Sequence, residues 1–198
     1  MKNTRKADSI ARPATYHFYN LGCPKNLVDA ERTAARLESA GWSRAADPHD
    51  AGLLVVTTCA FIEAAAADSV EQIIEIGAAK EDWQLLAVLG CLVTREKGRL
   101  EELLPEVDIF LDVESMQSLA DRVAGIETGN AGRSLFTPSH TAYLQISEGC
   151  SNRCSYCTIP SIRGDLESRP GDERLREAAS LAASGGRELI LIAQVTTA

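Results

Sequence analysis

No apolar run in the sequence approaches the roughly 20 residues that a membrane-spanning helix needs; the longest are short stretches such as residues 52–56. The first thirteen residues are polar and basic without a hydrophobic core, which argues against a secretory leader. Positive charge is in deficit: 20 Lys and Arg face 28 Asp and Glu, for a net charge of −8. That balance argues against a large electrostatic footprint on nucleic acid and leaves contact with RNA undecided. There is no low-complexity segment, and no repeat beyond an alternation of strand-like and helix-like segments. A hydrophobic fraction of 45% and a charged fraction of 24% are those of a soluble globular chain. The expectation is a cytoplasmic protein with no membrane partner, whose 198 residues suffice for one domain and part of another.

Residues 1–14 read as a disordered tail. An α/β pattern follows. Residues 16–21 alternate as a strand does and lead into Gly22-Cys23-Pro24-Lys25-Asn26, with Asn26 placed to cap a helix. Leu27, Ala30, Ala34 and Leu37 share one face of that helix, and Gly41 supplies its stop. The continuous apolar run 53–58 is what a parallel strand buried on both sides requires. A helix over about 62–79 follows, with Ala66, Val70, Ile73, Ile74 and Gly77 inward. Then come a strand at 85–89, a helix near 96–104, a short strand at 108–111, and a helix carrying Met116, Leu119, Ala120 and Val123. This alternation predicts an open parallel sheet with right-handed crossovers, forming an N-terminal α/β domain over 15–125.

Residues 126–141 read as a linker. A strand at 142–146, a cysteine-rich loop, a helix near 172–184 ended by Gly185 and Gly186, and a strand at 188–193 make one βαβ unit. A closed eight-fold barrel takes about 250 residues. Residues 142–198 are therefore expected to be the truncated start of a barrel domain, with apolar faces at Ile146 and 189–192 exposed and poor stability in isolation.

Six cysteines carry the chemical information. A chain that builds its own core and shows no export signal is expected to keep them reduced, as metal ligands, nucleophiles or small buried side chains. Cys23, Cys59 and Cys91 each follow a predicted parallel strand, so all three fall on the sheet edge where α/β proteins bind ligands. Burial as a small apolar side chain is the plainer reading of any one of them; three at equivalent places favour a shared ligand. The second group, Cys150, Cys154 and Cys157, is a Cys-x3-Cys-x2-Cys arrangement in one loop. Three thiolates on a short loop can hold three irons of a cubane cluster, sulfur being the natural soft ligand. With no fourth cysteine in the loop, one iron stays open to a small molecule, the logic that separates catalytic from structural zinc sites. Zinc is the rival for this loop, but zinc ribbons pair two CxxC units or add nearby histidines, and His140 lies across a strand.

Cys150-x3-Cys154-x2-Cys157, with Tyr156 before the last cysteine, resembles the signature of radical S-adenosylmethionine enzymes. The flanking Ala142-Tyr143-Leu144-Gln145-Ile146-Ser147-Glu148-Gly149 and Ile159-Pro160-Ser161-Ile162-Arg163-Gly164 are similar to its methylthiotransferase branch. Leu21-Gly22-Cys23-Pro24-Lys25-Asn26-Leu27-Val28-Asp29 is close to the RimO type within that branch. The resemblance implies an N-terminal methylthiotransferase domain followed by the first βαβ part of a partial, TIM-like barrel. It implies two 4Fe–4S clusters, one on Cys23, Cys59 and Cys91 and one on Cys150, Cys154 and Cys157. The second would bind S-adenosyl-L-methionine at its open iron, with Tyr156 near adenine. The implied activity is transfer of a methylthio group to the β-carbon of an aspartate in small-subunit ribosomal protein twelve, with an electron donor such as flavodoxin or ferredoxin. Two alternatives stand beside it: a tRNA adenosine methylthiotransferase of the MiaB type, and a non-catalytic metal-binding module.

The sequence departs from the family pattern in places. Thr57-Thr58-Cys59-Ala60-Phe61 lacks the usual asparagine and glycine around its cysteine, and Ala60 would restrict a loop that needed positive φ. Gln194-Val195-Thr196-Thr197 has Val195 where the RimO type shows aspartate. Most of the barrel and the family's C-terminal TRAM domain are absent, so the chain is expected to be incomplete and inactive alone. Other residues carry two readings each. Arg163 and Arg169 flank Asp165 and Glu167 and either touch substrate or are solvated. Tyr156 packs the loop if it does not meet adenine. Lys25 either approaches the first cysteine group or is a surface charge. His17, His49 and His140 read as structural or surface residues, and Trp42 and Trp83 as packing residues.

Overall fold

The computed structural model describes residues 12–129 and 131–196. Five strands form one parallel sheet: β1 (Thr15–Asn20), β2 (Ser43–Arg44), β3 (Leu53–Thr58), β4 (Leu85–Gly90) and β5 (Ile109–Leu111), in the order β2-β1-β3-β4-β5. The sheet is open and does not close into a barrel. All six residues of β3 are buried, because β3 lies between β1 and β4 and is covered on both faces. Helices α1 (Pro24–Ser39), α2 (Glu63–Ala79), α3 (Cys91–Leu103) and α4 (Leu119–Ala124) supply that cover. Successive strand residues face opposite sides, which divides the core into two layers. Leu54, Val56, Leu86 and Val88 meet Ile73 and Ile76 of α2 and Leu92 and Leu100 of α3. Tyr16, Leu53, Val55, Ala87 and Leu89 meet Ala34 and Leu37 of α1 with Met116 and Leu119.

Several local expectations are corrected. Helix α1 begins at Pro24 with Cys23 as its N-cap, so Asn26 sits inside the first turn and does not cap it. Proline's fixed φ and missing N–H suit the first helical position. Val28 is fully buried where Leu27 is only half-buried. In α2 Ile73 is buried and Ala66 and Val70 pack against the core as expected, but Ser69 and Ile76 are buried too and Ile74 is exposed. Helix α3 starts at Cys91, ahead of the expected start near 96, because Gly90 at φ 102° turns β4 directly into it. The expected start falls on an internal break, Glu96 at φ −133°. Gly41 does stop α1, at φ 87°. The expected tail lies mostly outside the described residues. Its last part is tied down: Arg12 Nε donates to Trp83 O at 2.7 Å, and Ala14 O accepts the Ser43 N–H at 2.9 Å.

Further along come β6 (Thr141–Gln145), β7 (Ser147–Glu148), α5 (Ile159–Arg163), β8 (Glu167–Ser168), α6 (Gly171–Ala183) and β9 (Glu188–Ile192). Strands β6 and β9 pair in parallel through α6, which is the expected βαβ unit. The short antiparallel pair β7–β8 and the five-residue α5 are too short to leave a periodic signal in the sequence. Ile190 and Leu191 of β9 are exposed, while Ile146 and Leu189 are half-buried. Residues 126–140 hold no helix or strand among the described residues, yet they are anchored. Phe136 packs on Phe18 with ring centroids 5.2 Å apart and lies under the Arg44 guanidinium at 4.2 Å.

Candidate functional site

Cys59 and Cys91 directly follow β3 and β4, and Cys23 follows β1 across a two-residue turn. Those three strands are neighbours in the sheet, with axes about 4.8 Å apart, so their loops share one edge. Asn26 gathers them. The Cys23 and Cys91 thiols both donate to its Oδ1, at 3.9 and 3.6 Å, and its Nδ2 donates to the Thr58 carbonyl beside Cys59 at 2.5 Å. Burial pushes the Cys91 thiol pKa up, Arg163 pulls it down, and charge on Cys23 or Cys59 pushes it up again. Cys23 caps α1 and Cys91 opens α3. All six cysteines are free thiols. Ala60 is fully buried in the core and its carbonyl accepts from Arg95 Nη1 at 3.1 Å, so its methyl is accommodated by packing.

The second trio sits in the loop after β7. Gly149 opens it at φ 68°, where any side chain would collide with the Asp165 carbonyl. The Cys150 N–H donates to Gly164 O at 3.1 Å, the Cys157 N–H to Cys154 O at 3.0 Å, and the Leu166 N–H to Ser151 Oγ at 3.0 Å. Cys150 is buried, Cys157 half-buried and Cys154 exposed. Tyr156 is 88% exposed and does not pack the loop. Among the described residues, no three His, Cys, Asp or Glu side chains are grouped as a closed metal centre requires. The donor chemistry is nonetheless that of two three-thiol sets, each with soft ligands and no cysteine left over.

Arg163 is the residue that sequence reasoning undervalued. Its side chain is 2% exposed and lies against the first thiol group. Nη1 pairs with Asp29 Oδ2 at 2.8 Å and Glu148 Oε2 at 3.3 Å; Nη2 donates to Asn26 Oδ1 and, at 3.5 Å, to Cys91 Sγ. Burial works against its charge, but Asp29, Cys91 and Glu148 outweigh it and hold the guanidinium pKa above the ordinary value. Burial raises the pKa of Asp29 against the pull of Arg163. Arg169 is likewise not solvated: Nη1 lies 2.9 Å from Gln145 O and 2.6 Å from Glu177 Oε2. The available signal was Asn26 and Asp29, two polar residues a turn apart on a helix that buries most of its surface. His17 Nδ1 lies 3.1 Å from Ala45 O, His49 and His140 are exposed, Trp42 packs on the core, and Lys25 is half-buried.

An open parallel sheet with three thiol-bearing loops along one edge defines the class, and residues 15–112 match the model of uncharacterized protein family UPF0004. The chain is similar to proteins named ribosomal protein uS12 methylthiotransferase RimO. It is 43% identical to that of Syntrophus aciditrophicus, over 94% of this chain and 46% of the relative. Identity to the Desulfotalea psychrophila protein is 44%, over 92% of this chain and 45% of the relative, and to that of Anaeromyxobacter sp. strain K 43%, over 92% and 42%. Over more than nine tenths of its length the chain is thus similar to proteins of the RimO type. It spans a little under half the length of these curated relatives. Among the described residues, no helix is long and apolar enough to cross a membrane.

Proposed function

We propose that the chain forms the sulfur-handling domain and the opening of the cofactor-binding domain of a radical S-adenosylmethionine enzyme. That enzyme would insert a methylthio group at the β-carbon of an aspartate in ribosomal protein uS12. One observation carries this reading: relatives named as ribosomal protein uS12 methylthiotransferases align over more than nine tenths of the chain, which takes in both cysteine trios. Cys23, Cys59 and Cys91 would hold one 4Fe–4S cluster and Cys150, Cys154 and Cys157 another, in the two units 15–125 and 142–198. When bound, these groups would supply one-electron cleavage of S-adenosyl-L-methionine and a carrier for sulfur. The partners would be the small-subunit ribosomal protein and an electron donor of the flavodoxin or ferredoxin kind.

The protein's part is positioning. Asn26 orients the Cys23 and Cys91 sulfurs and ties them to the Cys59 loop. Arg163 brings a fixed positive charge to a site that would gather thiolates. Gly149 and the Gly164 carbonyl shape the second loop so that Cys150 is inward and Cys154 outward. Tyr156, exposed beside Cys157, is free to meet an aromatic ring such as adenine.

Anaerobic reconstitution with iron and sulfide tests the metal assignment. About eight irons per chain are expected, four for each cluster; one tightly held zinc and no visible chromophore would overturn it. Mass spectrometry of uS12 and tRNA from cells lacking the gene tests the substrate. The methylthio mass should vanish from uS12, and its loss from tRNA alone would overturn the ribosomal assignment.

A further inference from the structure

Arg163 ends α5, and the next residue, Gly164, accepts the Cys150 N–H at 3.1 Å. One short segment therefore holds the second thiol loop through its backbone and reaches the first thiol group through a side chain. The guanidinium meets four partners drawn from both groups' surroundings: Asp29 and Asn26 on α1, Glu148 just before the second loop, and the Cys91 sulfur at 3.5 Å. Two carboxylates would be enough to anchor a buried arginine; the remaining arm, Nη2, is shared between Asn26 Oδ1 and the Cys91 sulfur. With the side chain 2% exposed, water does little to screen its charge. A lysine keeps the charge but lacks the planar fork that meets these acceptors together.

Hydrogen bonds and positive charge at the sulfur ligands of a cluster stabilise its reduced, more negative form. We propose that Arg163 is a positioning residue that sets the reduction potential of the centre on Cys23, Cys59 and Cys91 while fixing that centre relative to the Cys150 loop. The proposal rests on the two-cluster reading above.

The test uses the full chain reconstituted anaerobically, with Arg163 as Arg, Lys or Gln, and a redox titration followed by electron paramagnetic resonance. A Cys154→Ala background isolates the first centre and a Cys59→Ala background the second. At the potential where the unsubstituted first centre is half reduced, Arg163→Gln should lower its ratio of reduced to oxidised form about tenfold, the scale of one charge-assisted hydrogen bond. Arg163→Lys should lower it less, and the second centre should not shift. An unchanged ratio, or an equal shift in both centres, overturns the proposal. If circular dichroism shows Arg163→Gln unfolded, Arg163→Lys decides, and a ratio equal to that of the parent overturns it. Failure of the two-cluster reading is distinct, because it appears as missing iron before any titration begins.

Discussion

Arg133 closes its guanidinium on the carboxylate of Glu31, with Nε donating to Oε2 at 3.0 Å and Nη2 meeting the same oxygen. The two side chains are 3% and 0% exposed. Arg133 also donates to the Tyr143 carbonyl and pairs with Glu177 at 3.0 Å, while Glu31 accepts the Phe136 N–H at 2.9 Å. One ion pair thus joins α1, the segment after α4, β6 and α6. Glu31→Ala leaves a buried guanidinium without its main counter-charge and should cost about 3–5 kcal/mol. Glu31→Leu combined with Arg133→Met should recover most of that loss. Urea denaturation measures both; a double variant as unstable as the single one contradicts the argument.

The fully buried Tyr16 hydroxyl donates to Glu38 Oε1 at 2.6 Å. Burial first, and then Glu38, push its pKa up to about 12. An unfolded tyrosine titrates near 10. Between these values the folded chain keeps a proton that the unfolded chain has released, so stability should decline as pH rises from about 10 through 12. Tyr16→Phe should remove this dependence. Thermal melting across that range checks it, and an identical pH profile in Tyr16→Phe rejects it.

Two glycines with positive φ should respond differently to substitution. Gly41, at φ 87°, faces open space, so Gly41→Ala should cost only the left-handed penalty of about 1–2 kcal/mol. Gly149, at φ 68°, faces the Asp165 carbonyl, and Gly149→Ala should cost more. It should also displace the Cys150 loop. Chemical denaturation read with iron uptake separates the effects: both sites lose stability, and only Gly149→Ala loses iron.

Much of this fold was legible in the sequence. The unbroken apolar run of β3 and the strand–helix alternation marked a parallel sheet, and the recurring position of Cys23, Cys59 and Cys91 marked one edge of it. Helix faces were less legible because α1 is packed against both the sheet and the 126–141 segment, so Glu31 and Thr33 are buried along with Ala34 and Leu37. Periodicity reads apolar stripes and passes over a buried carboxylate whose counter-charge lies about a hundred residues away. Arg163 was hidden for the same reason. Its partners Asn26 and Asp29 are distant in sequence, and the five-residue α5 that delivers it has no amphipathic pattern.

The two cysteine groups should separate in function. Cys59→Ala and Cys154→Ala should each leave about four irons per chain. Under the proposed function, Cys154→Ala should abolish cleavage of S-adenosyl-L-methionine, whereas Cys59→Ala should spare cleavage and block sulfur insertion. Equal loss of both steps from either substitution would contradict that division.

The graded accessibility of Cys150, Cys157 and Cys154 has a practical consequence. Oxygen and alkylating reagents reach the outermost sulfur first, so damage on handling in air should begin at Cys154, as sulfenic acid or a mixed disulfide. A brief pulse of iodoacetamide on the metal-free chain, followed by peptide mapping, would rank the three sulfurs in that order.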